Sequence, residues 1–179
     1  VVALVAGAGD HSWAGLIDAT VDVSANYPNV GTIYSDPGSR VVSNGIEYAA
    51  GSFANYNPTW QVDINDTQLI LTNAEGGGFP FASASFNGFV LKVLNGPTIL
   101  TATVDSSSGF SPISVSVVNG NEVDINYAGV TGSGTVVSSI IDFTFAPSVV
   151  PEPSSFVLVS LSAAMALGYA WRRRAKATD

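Results

Sequence analysis

The chain has 179 residues, no cysteine and a formal net charge of −8 at pH 7, which leaves room for one domain with appendages and excludes disulfide staples, thiolate metal sites and cysteine nucleophiles. Apolar residues make up 46% and charged residues 11% of it, so it is no disordered acidic tail. Arg172, Arg173, Arg174 and Lys176 close the chain, whereas between Gly15 and Val150 only Arg40 and Lys92 stand against eleven Asp and Glu, a surface too poor in cations to recruit nucleic acid as a partner.

Residues 1–14 read as the remnant of a secretory signal peptide. Val1 to Ala8 is short and apolar, and Ser12-Trp13-Ala14 has the small-x-small spacing of a cleavage site. The mature protein then starts near Gly15, and the single histidine, His11, leaves with the signal. A first strand is the competing reading of this segment.

From residue 15 to 147 the hydrophobic period is two. In "LIDATVDVSA" Ile17, Ala19, Val21 and Val23 face one way and Asp18, Thr20, Asp22 and Ser24 the other. "WQVDINDTQLILT" places Trp60, Val62 and Ile64 inward, turns at Asn65-Asp66 and returns through Leu69 and Leu71. "SFNGFVLKVL" and "TILTATV" add β-branched and aromatic runs. "ISVSVVNGNEVDINY" predicts a hairpin in which Ile113, Val115 and Val117 meet Val123, Ile125 and Tyr127 across Asn119-Gly120. "GTVVSSIIDFTF" supplies the last strand.

Turns such as Asp36-Pro37-Gly38, Asn57-Pro58 and Asn95-Gly96-Pro97 punctuate these runs. Eight or nine short strands with no helix to cover them predict an all-β body: a two-sheet antiparallel β-sandwich, jelly-roll-like, with a closed barrel as the alternative.

Residues 148–153 form a linker containing Pro151-Glu152-Pro153, and residues 154–171 carry no charge. As a helix rising about 1.5 Å per residue, that run spans roughly the hydrocarbon thickness of a bilayer. Tyr169 and Trp171 sit at its interface end, followed at once by Arg172, Arg173 and Arg174. The expectation is one C-terminal transmembrane helix, with residues 172–179 as a basic cytoplasmic tail that stops transfer through the inner membrane.

Pro-Glu-Pro, one hydrophobic span and a terminal arginine cluster, in that order, resemble the PEP-CTERM sorting tail of Gram-negative bacteria. The resemblance covers about the last thirty residues. It implies that Pro151, Glu152 and Pro153 are read by a membrane-embedded exosortase, that the tail is removed, and that the body reaches the cell envelope or an exopolysaccharide matrix.

Catalytic chemistry finds little purchase in the body. Its serines have no histidine base and stand in no Gly-x-Ser-x-Gly elbow. Gly76-Gly77-Gly78 opens no helix and so forms no phosphate cradle. Asp63, Asn65 and Asp66, and Glu122, Asp124 and Asn126, are oxygen-rich but match no calcium loop; both read as solvated faces, and no metal ligand or cofactor is assigned. Tyr34, Tyr48, Phe53, Tyr56 and Trp60 crowd one third of the chain. Trp60 has core parity, and Asn55, Tyr56 and Asn57 are the better sugar-binding candidates. The expected function is thus a secreted, exosortase-sorted, non-catalytic surface or matrix protein. A carbohydrate-binding module for extracellular polysaccharide is the alternative, and a carboxylate-dependent glycoside hydrolase a more distant one.

Overall fold

A computed structural model describes residues 15–73, 79–106, 108–132 and 137–147. The predicted signal remnant, sorting motif, membrane span and basic tail therefore lie outside the described residues. Among the described residues no helix is long and apolar enough to cross a membrane.

The first sheet is built around β1 (Thr20–Asn26) and β8 (Gly88–Asn95). β8 pairs on its other side with β11 (Glu122–Asn126), which pairs with the edge strand β10 (Ser114–Val118). The short β2 (Ile33–Ser35) and β3 (Arg40–Val41) pair with the two ends of β1. The second sheet runs in the order β4 (Ile46–Tyr48), β5 (Trp60–Ile64), β6 (Gln68–Asn73), β13 (Val137–Phe145) and β9 (Ile99–Val104). A two-residue ladder joins β7 (Phe79–Pro80) to β12 (Thr131–Gly132). Every pairing is antiparallel.

This is the expected two-sheet all-β body, because residues of one parity from both sheets close on a shared core. Val23, Leu91 and Val123 stand opposite one another across β1, β8 and β11 and are fully buried, as are Ala25, Phe89 and Ile125 in the next inward row. Facing them, Trp60, Val62, Ile64, Leu69, Leu71 and Ile141 come from the second sheet. Next to the first of these rows, Asp22, Lys92 and Glu122 line up on the outer face, where Lys92 Nζ lies 3.3 Å from Glu122 Oε2. Alternation decides both faces at once, since a one-residue slip would exchange them.

Two local expectations change. Residues 17–19 precede β1 rather than belong to it, because Asp18 takes a left-handed conformation (φ 66°); Ala19 is buried all the same. The predicted hairpin forms with the register Val117↔Val123 and Val115↔Ile125, and Asn119 and Gly120 both have positive φ (53° and 72°). Asn121 N donates to Val118 O (3.3 Å) across them, and the pairing of Val118 with Glu122 leaves a three-residue loop. Ile113, however, falls one residue short of β10 and stays 60% exposed.

Tyr48 ties the sheets together. β1 is covered at its ends by β2 and β3, but Asp22–Ser24 pairs with neither. Tyr48 reaches across from β4, and its hydroxyl accepts a hydrogen bond from Val23 N (3.1 Å). The same hydroxyl lies 3.4 Å from Val21 O. A backbone donor that would otherwise be stranded at a buried edge is thereby satisfied. Burial, the dominant influence, pushes the Tyr48 hydroxyl well above the usual tyrosine range, so it stays protonated.

Candidate aromatic binding site

The loops at one end of the sandwich enclose a cavity of about 330 Å³. Its floor is Trp60, the first residue of β5, with Phe81 just after β7. Both belong to an aromatic cluster inside the core: Phe81 stacks on Tyr127 at 4.9 Å, and Phe110 stacks on Tyr127 at 4.7 Å with an interplanar angle of 4°. Trp60 meets Phe89 edge-on at 5.4 Å. Rings held on several sides lose little entropy on binding, because packing has already fixed their rotamers.

The walls come from three separate loops. Tyr27 leads the turn between β1 and β2, and Tyr34 sits on β2 itself. Tyr34 is 52% exposed and stands nearly perpendicular to Tyr27 (centroids 6.4 Å, 87°). It is also edge-on to Tyr56 (6.3 Å, 69°). The rings thus make a corner rather than a flat, coplanar platform.

Tyr56 and Asn57 end the loop that precedes β5. That loop is closed by its own backbone: Gly51 N donates to Pro58 O at 2.6 Å, and Tyr56 N and Asn57 N both donate to Phe53 O at 2.9 Å. Asn57 Oδ1 accepts from Thr59 N (3.0 Å) and lies 2.7 Å from Thr59 Oγ1.

Asn87, from the loop before β8, supplies the third wall. Its Oδ1 accepts the Tyr56 hydroxyl proton at 2.6 Å, and its Nδ2 donates to Ala82 O at 3.1 Å. Its backbone N donates to Asn126 Oδ1 at 3.0 Å, and its carbonyl accepts from Tyr127 N at 2.8 Å. Asn87 is thus anchored at four points, and through Tyr56 it fixes the pocket's central hydroxyl. Burial raises the Tyr56 pKa far above the usual tyrosine range. The hydroxyl keeps its proton, the proton is committed to Asn87, and the oxygen retains lone pairs for a ligand donor. Among the described residues, no Asp, Glu, Lys or Arg lines the cavity.

A second cavity, of about 260 Å³, lies on the outer face of the first sheet and is bordered by Ser114, Ser116, Asp124 and Asn126. Asp124 Oδ1 is buried without a hydrogen-bond partner among the described residues. Its carboxyl is raised above the usual aspartate range by burial first and by Glu122 second.

The predicted candidates divide accordingly. Tyr48, Phe53 and Trp60 are core residues, as the parity of Trp60 predicts. Tyr56 and Asn57 line the pocket; Asn55 is exposed and is not part of it. Asn65 serves its turn, accepting from Thr67 N (3.1 Å) and Gln68 N (2.9 Å). Glu122 pairs with Lys92, and Asn126 accepts from Asn87 N and Ala128 N. Tyr27, Phe81 and Asn87 are pocket residues that periodicity does not reveal, since all three sit in loops or at strand ends. Pro151, Glu152, Pro153 and Arg172, Arg173 and Arg174 lie outside the described residues.

Residues 149–174 match the family model of the PEP-CTERM protein-sorting motif. The motif implies an exosortase-sorted secreted protein, with exosortase as the processing partner and a membrane-anchored C-terminus processed for export to the cell envelope. The chain matches no curated protein and no solved structure.

Proposed function

We propose that this chain is a non-catalytic surface or extracellular-matrix protein, delivered by exosortase as cargo and released from its tail on arrival. The observation that carries the reading is the sorting motif at residues 149–174. In this reading the apolar run 154–171 holds the C-terminus in the inner membrane with Arg172, Arg173 and Arg174 on the cytoplasmic side. Pro151 and Pro153 fix φ near −65° and favour extended geometry before them, so Glu152 is offered on a strand-like segment at the outer edge of the membrane.

The test is mass spectrometry of the surface-delivered protein from a host with a cognate exosortase. The native chain should arrive without Arg172–Asp179. Glu152→Ala should leave the body folded but hold the uncut protein in the membrane fraction. Delivery of a form that still carries Arg172–Asp179 would make the tail a plain anchor and end the sorting reading.

A second reading, that the body is a carbohydrate-binding module for matrix polysaccharide, is favoured by the aromatic cavity with its amide and hydroxyl groups. Sites of this kind combine apolar faces with a few placed polar atoms.

A further inference from the structure

We propose that the cavity between Tyr34, Tyr56 and Asn57 binds one neutral hexopyranose unit, with the Tyr34 ring against a C–H face of the sugar and Tyr56 Oη and the Asn57 amide bonding its hydroxyls. This rests on, and sharpens, the carbohydrate-binding reading above. Four features of the pocket support it.

Size comes first. A cavity of about 330 Å³ stands at the small end of the roughly 300–1,000 Å³ typical of ligand sites. It admits a single ring with the rest of a chain lying outside, and not an engulfed oligosaccharide.

Shape agrees. A flat row of coplanar rings would suit an extended polysaccharide lying along the surface, but Tyr27, Tyr34 and Tyr56 meet edge to face. A corner presents one ring face and one ring edge to the same ligand. A pyranose offers the matching pair, an apolar C–H face and a rim of hydroxyls.

Polar groups are placed for that rim. The Tyr56 proton is engaged by Asn87, so Tyr56 Oη acts as an acceptor. Asn57 Oδ1 is engaged by Thr59, and Asn57 Nδ2 has no hydrogen bond to another described residue, so the amide acts as a donor. One acceptor and one donor lining the same cavity fit a hydroxyl-rich ligand, since every sugar hydroxyl is both.

Charge then narrows the ligand. Buried carboxylates need a paired cation, and neither Arg40 nor Lys92, the two cations of the body, lines the cavity. A uronic acid would be desolvated here without compensation. An amino sugar would likewise find no carboxylate among the described residues of the lining.

The experiment is saturation-transfer NMR on the full chain in detergent micelles, with methyl β-D-glucopyranoside, methyl α-D-mannopyranoside, glucuronate and glucosamine as probes, together with a pull-down on neutral β-glucan. At least one neutral glycoside should receive saturation, strongest on the protons of one ring face. Tyr34→Ala should weaken its binding about tenfold or more; Tyr34→Phe, which keeps the ring, should retain it. Tyr34 is half exposed at the surface, so both variants should keep the native fold by circular dichroism. Equal or tighter binding of glucuronate or glucosamine would overturn the neutral assignment. Glucan capture that survives Tyr34→Ala would overturn this pocket while leaving the carbohydrate-binding reading intact. Absence of binding to every probe and to glucan would overturn both.

Discussion

At the scale of single residues, the fold depends most on side chains that complete what the ladders leave open. Tyr48 is the sharpest case, because its hydroxyl serves Val23 N at a buried edge of β1 that neither β2 nor β3 covers. Its ring packs against Phe53 at 5.7 Å, and Arg40 sits 5.5 Å over its face. Tyr48→Phe keeps the ring contacts and removes only the hydroxyl, so the change isolates the polar link. A buried donor left unmet costs about 1–3 kcal/mol, and urea unfolding of the variant should show a loss of that order with an unchanged m-value. The opposite holds for Ser139, which is fully buried near the Tyr127 hydroxyl; among the described residues neither hydroxyl has a partner at hydrogen-bond distance. Here Ser139→Ala removes a desolvated group that gains nothing in return, and stability should hold steady or rise by up to about 1 kcal/mol. A measurable loss of stability would instead mean that the two hydroxyls bond to each other in solution.

At the scale of elements, the hairpin β10–β11 shows what local sequence can specify. Alternation in both strands and the Asn119-Gly120 pair between them select one register, and the structure has it. Gly120 is needed twice over: its φ is +72°, and a Cβ there would press on Thr98 Cγ2. Gly120→Val should therefore destabilise the body by roughly 1–3 kcal/mol, read as a lower thermal midpoint. An unchanged midpoint would show that the turn can re-form in another geometry. Parity told the two faces apart along β5, β6 and β11, because burial there repeats every second residue. It misplaced Ile113, since parity says which way a side chain faces and not whether a second layer lies above it. The aromatic cavity was legible only in part. Tyr56 and Asn57 stand out as neighbours in one loop, but Tyr27, Tyr34 and Asn87 reach the same place from segments brought together by the pairing of β1 with β2 and β8. Such a convergence is a property of topology, and no local period encodes it.

At the scale of the whole molecule, the body is a strongly acidic object with two cations of its own, and both lie in the first sheet, on β3 and β8. Lys92 shares its outer-face row with Asp22 and Glu122 and bonds the latter. Exposed pairs of this kind contribute about 0–1 kcal/mol. The carboxyls left over carry the larger consequence. Asp22 and Asp124 each have an Oδ1 buried without a hydrogen-bond partner among the described residues. Burial is the main cause that raises both, with Asp36 adding to it at Asp22 and Glu122 at Asp124. A carboxyl whose pKa is higher in the folded than in the unfolded state holds its proton more tightly when folded. Its contribution to stability is full below the unfolded value of about 3.8–3.9, and it is lost as the pH climbs through the raised folded value. Above that value each carboxyl is driven to ionise in a place that disfavours its charge, and each then weakens the fold. Asparagine has nearly the same shape and cannot ionise, so Asp22→Asn combined with Asp124→Asn should melt higher than the native protein at about pH 7. The gap should narrow as the pH falls and close near about pH 3. Added salt should also narrow it from the native side, since screening relieves repulsion from Asp36 and Glu122. Differential scanning fluorimetry across that pH range is the measurement. A gap that stays constant with pH would assign the effect to packing, and a variant that melts lower at about pH 7 would show that these carboxylates stabilise the fold through Lys92.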